Sequence, residues 1–511
     1  MKNKITYIIL AFTLITMATL IVVFNFFVMP AHFEETEKQA SIFPEYQDIV
    51  IPLNIAPLNF KINEPGKKQI VSFSTHNYTF KVKAKNGNIV IPRQKWRKLL
   101  NAPDQTNIHI DIYNQHKKGQ WIKYPTINNT LSTDTIDSHI VFRHISAGYI
   151  LWGDMGIYQR NIESYKKTPV LLNNETNNNC MHCHTFHKND PSKMLIHLRG
   201  GPNGTLLYND GKVSLINTKT KYTMAAGVYP AWHPNGNIIA FSVNLISQKF
   251  HTAGYEDITV FDQASDIITY NIKNNEISTS PKISTQSMEN LPNWSPDGKH
   301  LYYISSGQYQ AGIEDTLVKY DLLRIAYNEI DGSWGQVDTI LTAAETGKSI
   351  SFPEVSPNGK YLLFCMSNFG YFTIHRKSSD LYLMDLETMQ YQPLKNVNSE
   401  YTESFHSWSS NSKWFLFVSK RIDGLYSRVY FCHVDKNGMV SNPILLPQKH
   451  ANYYENSTIN YNRPVFIKRK IEAQSYQLSK KAFEKVIETN FDPSIDINAL
   501  SGATRIKQPT Q

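Results

Sequence analysis

The sequence predicts a mainly β chain in which an N-terminal transmembrane helix precedes a small β-rich domain and a β-propeller. Three observations support this fold class. An uncharged apolar stretch opens the chain. Short segments that alternate apolar and polar residues fill residues 31–150. A strand-and-turn pattern then recurs through the second half of the chain, which is typical of repeat architectures.

The apolar stretch, residues 5–29, contains 25 residues without a charge. A helix of this length can cross about 30 Å of hydrocarbon, and the stretch exceeds the roughly 7–15-residue core of a cleaved signal peptide. Two lysines precede it, and three glutamates follow between residues 34 and 37. By the positive-inside rule, we expect residues 1–30 to be a signal anchor in the inner membrane, with the bulk of the chain in the periplasm.

Composition limits the classes of function. The chain has 511 residues, a net charge of +9 and 19% charged residues. The lysines and arginines form no block and no basic motif interleaved with aromatic residues, so nucleic acid is not an expected partner. Four cysteines are too few for a disulfide framework in an exported protein of this size.

Residues 31–150 carry strand patterns such as IVSFSTHNYTFKVKA and TNIHIDIYN, which are separated by breaks such as EPGKK and KNGN. Period-two alternation with glycine, asparagine and proline breaks is typical of a small antiparallel sheet domain. We therefore expect a β-rich domain at 31–150, followed by a connecting segment at 151–200.

The repeat has four clear copies: YPAWHPNGNIIAFSVN, LPNWSPDGKHLYYISS, FPEVSPNGKYLLFCMS and FHSWSSNSKWFLFVSK. In three of them, proline presets φ and glycine accepts a positive φ, which defines a reverse turn before an apolar strand. The copies are spaced 62, 61 and 53 residues apart, as measured at Trp232, Trp294, Val355 and Trp408. This exceeds a minimal blade of about 40–45 residues and predicts a propeller with inserted loops. The residues expected to line its channel are Tyr229, Leu291, Phe352 and Phe405.

The WSPDGK turn followed by an apolar strand resembles the repeat of the TolB-type periplasmic propellers. Residues 419–448 extend the resemblance, which covers roughly residues 200–470. It implies a propeller of about six blades at 201–470 and leaves 471–511 as a C-terminal tail. Because propellers host binding, catalysis and scaffolding alike, the resemblance implies a fold rather than a chemistry.

Residues 180–184 read Cys-Met-His-Cys-His, the attachment pattern of a c-type haem. Two thiols separated by two residues can reach both vinyl groups of one porphyrin, and the next residue, His184, would supply the proximal iron ligand. The expected cofactor is one haem c held covalently by Cys180 and Cys183, so that 151–200 becomes a haem-binding segment. Two alternatives stay open: a zinc site that adds histidines from among His184, His187 and His197, and a disulfide between the two cysteines.

The distal iron ligand is expected from the sequence DPSKMLIHLRGG, where a turn at Pro191 can bring the chain back towards the haem. His197, 13 residues after His184, is the expected distal ligand and the second iron-binding residue. The alternatives left open are Met194, Met155, His144 and an open coordination site. Arg199 is a candidate partner for a haem propionate, because guanidinium and carboxylate form bidentate pairs.

The sequence from FRHISAGYILWGDMG to MLIHLRG also resembles exported bacterial proteins that join such a haem segment to a TolB-type propeller. The resulting expectation is a membrane-anchored periplasmic cytochrome that transfers electrons and meets envelope redox or scaffold proteins. Two alternatives remain: a propeller scaffold whose haem is structural or sensory, and a haem-dependent propeller oxidoreductase. We expect an electron carrier or binding protein rather than a self-contained enzyme.

Two smaller features complete the expectations. Cys365 and Cys432 lie within apolar strands of successive repeats, which predicts buried free thiols. The segment NALSGATRIK resembles the sites at which flavin transferases attach FMN to the last threonine, here Thr504. Asn498 replaces the aspartate of that pattern, and no surrounding flavin-binding domain is evident. A loose Ser-Gly turn is therefore the alternative at this position.

Overall fold

The computed structural model describes residues 30–500 except 103–105, 117–118, 147–153, 202 and 257. The chain divides into two compact units. The first unit comprises Met1–Thr133 and Pro447–Asn456, and the second comprises Asp134–Leu446 and Ser457–Gln511. Both consist mainly of β-strands in the part of the chain that is described.

The first unit contains a seven-stranded sheet and a three-stranded sheet. The larger sheet is formed by Glu34–Glu35, Val50–Pro52, Lys68–Ser74, Thr79–Lys83, Asn107–Gln115, Trp121–Lys123 and Ile127–Ser132. The smaller sheet is formed by Ile42–Phe43, Phe60–Ile62 and Asn88–Ile89. Most neighbouring strands pair antiparallel. The two parallel pairs are Glu34–Glu35 with Trp121–Lys123 and Val50–Pro52 with Ile127–Ser132.

Within the described residues, the first unit also contains two α-helices, Arg93–Leu100 and Tyr453–Asn456. The first begins directly after Pro92 and buries Trp96, Leu99 and Leu100. Their spacing of three and four residues places them on one helical face, which is the face that packs into the core. The alternation predicted for this region is clearest in Thr79–Lys83. Phe80 and Val82 are buried there, and the other three residues of the strand are not.

The second unit is a β-propeller of six sheets, which confirms the predicted propeller. Blade 1 contains His139–Ser146, Met155–Asn161, Lys167–Leu172 and Ile459–Ile467. Blade 2 contains Cys180–His187, Asp190–Arg199, Gly204–Asn209, Lys212–Asn217 and Ile487–Glu488. Blade 3 contains Val228–Trp232, Ile238–Phe250, Ile258–Asn271, Glu276–Ser278 and Asn490–Phe491.

Blades 4 to 6 have four strands each. Blade 4 contains Met288–Trp294, His300–Ser306, Asp321–Asn328 and Ser333–Leu341. Blade 5 contains Ser349–Val355, Tyr361–Ser367, Asp380–Asp385 and Tyr391–Pro393. Blade 6 contains Glu403–Trp408, Trp414–Ser419, Arg428–His433 and Ile444–Leu445. The α-helices in the described part of this unit are Ala343–Thr346 and Ser475–Ala482.

The propeller closes on itself through a strand from late in the chain. Ile459–Ile467 pairs antiparallel with His139–Ser146 and forms the innermost strand of blade 1. It contacts the innermost strands of both blade 6 and blade 2, and each other innermost strand contacts that of the next blade. The ring is therefore complete, which leaves a channel along its axis.

The repeated turns form as their sequences predict. The amide of Gly236 donates to the carbonyl of His233 at 2.9 Å, and equivalent bonds close the next three copies. Gly236, Gly298 and Gly359 have φ between 72° and 75°. In the fourth copy Ser412 takes the same conformation with φ of 61°. The residue that opens each turn is buried in all four copies: Trp232, Trp294, Val355 and Trp408.

Each innermost strand is interrupted by a β-bulge at the same point. At each bulge one residue has a positive φ, between 42° and 56°. These six residues, which we term the axial residues, are Cys183, Tyr229, Leu291, Phe352, Phe405 and Arg463. A bulge redirects the side chain of its residue. The Tyr229 and Phe352 rings lie 6.4 Å apart, and the Phe352 and Phe405 rings lie 5.1 Å apart, so axial side chains meet at the centre of the ring.

Two parts of the predicted fold class need correction. No helix in the described residues is long and apolar enough to cross a bilayer, so the membrane helix of the predicted fold class is not seen there. Residues 1–29, where that helix was expected, lie outside the described residues. The separate haem-binding segment at 151–200 is also absent as an independent element, because Cys180–His187 is the innermost strand of blade 2.

Candidate functional site

The channel contains two cavities, one at each end of the ring of axial residues. The larger, which we term the thiol cavity, has a volume of about 950 Å³, and the smaller has a volume of about 500 Å³. Tyr229, Phe405 and Arg463 line both. His182, Val228 and Asn462, which precede axial residues, line the thiol cavity. Residues that follow axial residues line the smaller cavity: His184, Pro230, Pro292, Pro353, His406 and Pro464.

Both cysteines of the Cys-x-x-Cys-His pattern line the thiol cavity. Cys180 is 9% exposed and Cys183 is 5% exposed, and neither forms a disulfide. Burial raises the pKa of the Cys180 thiol, and the positive charges of Arg143 and Arg199 oppose this shift. The two thiols are therefore sheltered groups at the wall of one large cavity.

His184 lies with the smaller cavity instead. Its imidazole is 3% exposed, and neither ring nitrogen has a well-formed hydrogen bond within the described residues. Burial lowers the pKa of His184 to about 3, and the nearby charges of Arg463 and Arg143 act in the same direction. The imidazole is therefore neutral, which is the form that binds iron, but it stands on the other side of the bulge from the thiols.

Two other imidazoles, those of His182 and His197, line the thiol cavity. Their ring centroids are 5.1 Å apart, and Nδ1 of His182 lies 2.8 Å from Sγ of Cys183. Nδ1 of His197 lies 3.0 Å from Oγ1 of Thr205, which leaves Nε2 for the cavity. Burial lowers the pKa of His197 to about 3. A buried neutral imidazole whose second nitrogen is held by the protein has the character of a metal ligand.

The other candidate iron ligands differ in whether they line the thiol cavity and in whether their donor atom is available. Met194 is 1% exposed, belongs to the apolar core of blades 1 and 2 and lines neither cavity. Met155 lines the thiol cavity, but its sulfur accepts a hydrogen bond from the amide of Met181 at 3.4 Å. His144 packs between the rings of Tyr158 and Tyr461 and lines neither cavity. Of the ligands expected from sequence, His197 alone lies beside the thiols with an imidazole nitrogen available.

The alternatives to haem find no support in the side-chain positions. No group of three or more His, Cys, Asp or Glu side chains within the described residues could hold a metal ion. Cys180 and Cys183 are free thiols. Cys365 and Cys432 are fully buried free thiols in blades 5 and 6, as predicted. The possible flavin site at Thr504 lies outside the described residues.

The donor set of the thiol cavity fits a covalent haem in part. Cys180, Cys183 and His197 share one cavity, and Arg199 lies at its wall. His184 would have to move to the thiol side of the bulge at Cys183 to act as a ligand there. Sequence reasoning missed His182, because it lies within the pattern rather than after it. It also missed Arg143 and Arg463, whose positions depend on the closure of blade 1.

Comparisons with known proteins return no matching family model and no matching curated protein. TolB from Acinetobacter baumannii is structurally similar over 73% of this chain and 85% of that chain, with 12% identity and a TM-score of 0.41. The propeller domain of the Trilobed protease from Pyrococcus furiosus is similar over 80% of this chain and 98% of that chain, with 12% identity and a TM-score of 0.33. An oligogalacturonate lyase from Vibrio parahaemolyticus is similar over 58% of this chain and 92% of that chain, with 11% identity and a TM-score of 0.32. These similarities concern the fold alone.

Proposed function

We propose that the protein carries one c-type haem, attached through Cys180 and Cys183 within the propeller channel, and that it transfers single electrons. One observation carries the proposal: both thiols of a Cys-x-x-Cys-His pattern line one cavity of about 950 Å³. A cavity of this size is at the upper end of those that hold cofactors and other small molecules. The haem, when bound, supplies the one-electron chemistry.

The chain's own residues would each have a defined task. Cys180 and Cys183 hold the group by thioether bonds, and His197 offers an imidazole nitrogen to the iron. Apolar neighbours such as Ile145, Leu198 and Val228 exclude water from the cavity. Axial-ligand identity and burial are the main controls of haem potential. His184 would join the iron only after a rearrangement of the strand at Cys183.

This cofactor is attached outside the cytoplasm, so the proposal assigns the propeller to the periplasm. Its partners would be redox proteins of the cell envelope. A haem-dependent oxidoreductase is the second candidate function. It is favoured by the depth of the cavity, since a cofactor beside thiols that are only 5–9% exposed would be shielded from a partner protein. Binding of carbon monoxide to the reduced protein would favour the oxidoreductase, because it requires an open iron position.

The test of the proposal is a denaturing gel stained for haem peroxidase activity, using protein produced with the machinery that matures exported cytochromes. Thioether bonds survive denaturation, so the wild type should give one stained band. Cys180→Ser/Cys183→Ser should give none. Cys365→Ala and Cys432→Ala, which alter buried thiols of blades 5 and 6, should keep the stain. An unstained wild type, or a stained double variant, would refute covalent attachment at this site.

A further inference from the structure

The thiol cavity has an unbalanced charge. Five cationic residues line it: Arg143, Arg199, Lys219, Lys420 and Arg463. No aspartate or glutamate occurs among its described lining residues. Arg199 and Lys219 are exposed, but Arg143 and Arg463 are half-buried, and charged groups removed from water are normally paired with the opposite charge. The lining therefore favours a ligand that brings negative charge.

Arg143 and Arg463 each have a buried hydrogen-bond donor that is unused. Nε of Arg143 and Nη1 of Arg463 are shielded from solvent and have no hydrogen-bond partner within the described residues. Nη1 of Arg143 donates to the carbonyl of Met181 at 3.1 Å. Neither guanidinium forms a salt bridge with any residue that the structure describes. Two cations of the channel thus have donors without acceptors.

Aromatic rings account for only part of the environment of Arg463. Its guanidinium carbon lies 5.5 Å from the ring centroid of Tyr229, 5.7 Å from that of Phe352 and 5.8 Å from that of Phe405. Such contacts stabilise a cation over the faces of the rings. They do not satisfy N–H groups that lie in the guanidinium plane, and a planar fork of donors matches a carboxylate or another oxyanion.

No carboxylate of the described residues pairs with either guanidinium. Asp262, which is buried near Tyr229, is instead hydrogen-bonded by Asn244, Asn290 and Tyr320. Glu354 lines the smaller cavity, and the positive charge of Arg463 lowers the pKa of its carboxyl group. Burial raises the pKa of Glu354 to about 8, so this group is mainly protonated at neutral pH. The pKa of Arg143 is affected electrostatically by Cys180, Cys183, Arg463 and Tyr229, and none of these groups is a carboxylate.

We propose that Arg143 and Arg463 form an anion-binding site in the propeller channel that takes a carboxylate group or a small oxyanion. Two sources of this chemistry exist. The anion can be a free molecule, or it can be a propionate of the haem, in which case the inference rests on the proposed function. Arg143 is close enough to interact electrostatically with both cysteine thiols. A free anion at this site would therefore lie beside the proposed haem attachment point.

The experiment is a thermal-unfolding titration with sodium formate and, separately, inorganic phosphate, against sodium chloride at matched ionic strength. It uses the wild type and the haem-free Cys180→Ser/Cys183→Ser protein. A ligand that binds the folded state raises Tm in proportion to ln(1 + [L]/Kd), so we expect a saturable rise with at least one of the two anions. Arg143→Gln and Arg463→Gln should weaken it at least tenfold.

Arg324→Gln is the matched control, because Arg324 pairs with Asp338 at 2.9 Å outside both cavities; it should titrate as the wild type does. A saturable rise of Tm in both the wild type and the haem-free protein identifies a free anion as the natural occupant. A saturable rise in the haem-free protein alone identifies a haem propionate. Absence of saturation above chloride in both proteins would overturn the proposal, even if the arginine variants fail to fold. Equal affinity in all variants would overturn it as well.

Discussion

Cys183 and His184 are neighbours in the chain, yet Cys183 lines the thiol cavity and His184 lines the cavity at the other end of the channel. The bulge at Cys183, with φ of 56°, directs the side chains on its two sides to opposite ends. Backbone strain of this kind, about 1–3 kcal/mol for a non-glycine residue, is maintained by the surrounding structure and clusters at functional sites. The iron-ligand question therefore depends on which imidazole shares a cavity with the thiols.

In the proposed haem protein, His197→Ala should open a coordination position on the iron. The imidazole of His197 lies in the thiol cavity with Nδ1 held by Thr205. We expect the reduced variant to bind carbon monoxide and its potential to shift by on the order of 100 mV, within a range of about 0.8 V set by axial ligands. Absorption spectra and a redox titration measure both.

Met194→Leu is the control for this experiment. Met194 lies in the core of blades 1 and 2, and a volume-conserving change there costs less than about 1.5 kcal/mol. Its haem spectrum should equal that of the wild type. If His197→Ala keeps the wild-type spectrum and does not bind carbon monoxide, His197 is not a ligand.

Gly298→Ala should destabilise the protein more than Gly359→Ala. Both glycines have φ of 75° in equivalent turns, so the cost of a left-handed alanine, about 1–2 kcal/mol, is common to both. A Cβ at Gly298 would overlap the imidazole of His233, whereas a Cβ at Gly359 meets nothing within 4 Å. Overpacking adds about 1–3 kcal/mol at Gly298. Urea unfolding of the two variants measures the difference, and equal losses would contradict the packing at His233.

Glu354→Gln should flatten the dependence of stability on pH. Burial raises the pKa of Glu354 from 4.5 to about 8, so between these values the folded protein binds a proton that the unfolded chain lacks. The free energy of unfolding therefore falls as pH rises from about 4.5 to 8 and is constant above. Urea unfolding at pH 5, 6.5 and 8.5 should show a smaller decrease for the variant. An identical decrease in both proteins would place the titrating group elsewhere.

Much of the propeller was predictable because its signal is local and repeated. The turn at His233-Pro234-Asn235-Gly236 specifies its own backbone, and three further copies at regular spacing identify the architecture. The channel residues Tyr229 and Phe352 were predictable from their position at the start of each copy. Blade 1 was not, because its innermost strand, Ile459–Ile467, comes from more than 300 residues beyond its neighbour His139–Ser146.

The candidate site was predictable as a set of residue types but not as a geometry. Cys180, Cys183 and His197 follow from spacing, and they line one cavity. The bulge that separates His184 from them has no sequence signal of its own, since the equivalent position is aromatic in three of the other blades and is Leu291 or Arg463 in the remaining two. Arg463 carries no motif either, and the closure of blade 1 brings it into the channel.

The most direct test of the haem proposal is mass spectrometry of the proteolytic peptide that contains Cys180 and Cys183, from protein matured in the periplasm. The account predicts one peptide whose mass is increased by one haem, with fragmentation that locates the group on both cysteines. An unmodified dithiol peptide, or a peptide two hydrogens lighter that contains a disulfide, would contradict it.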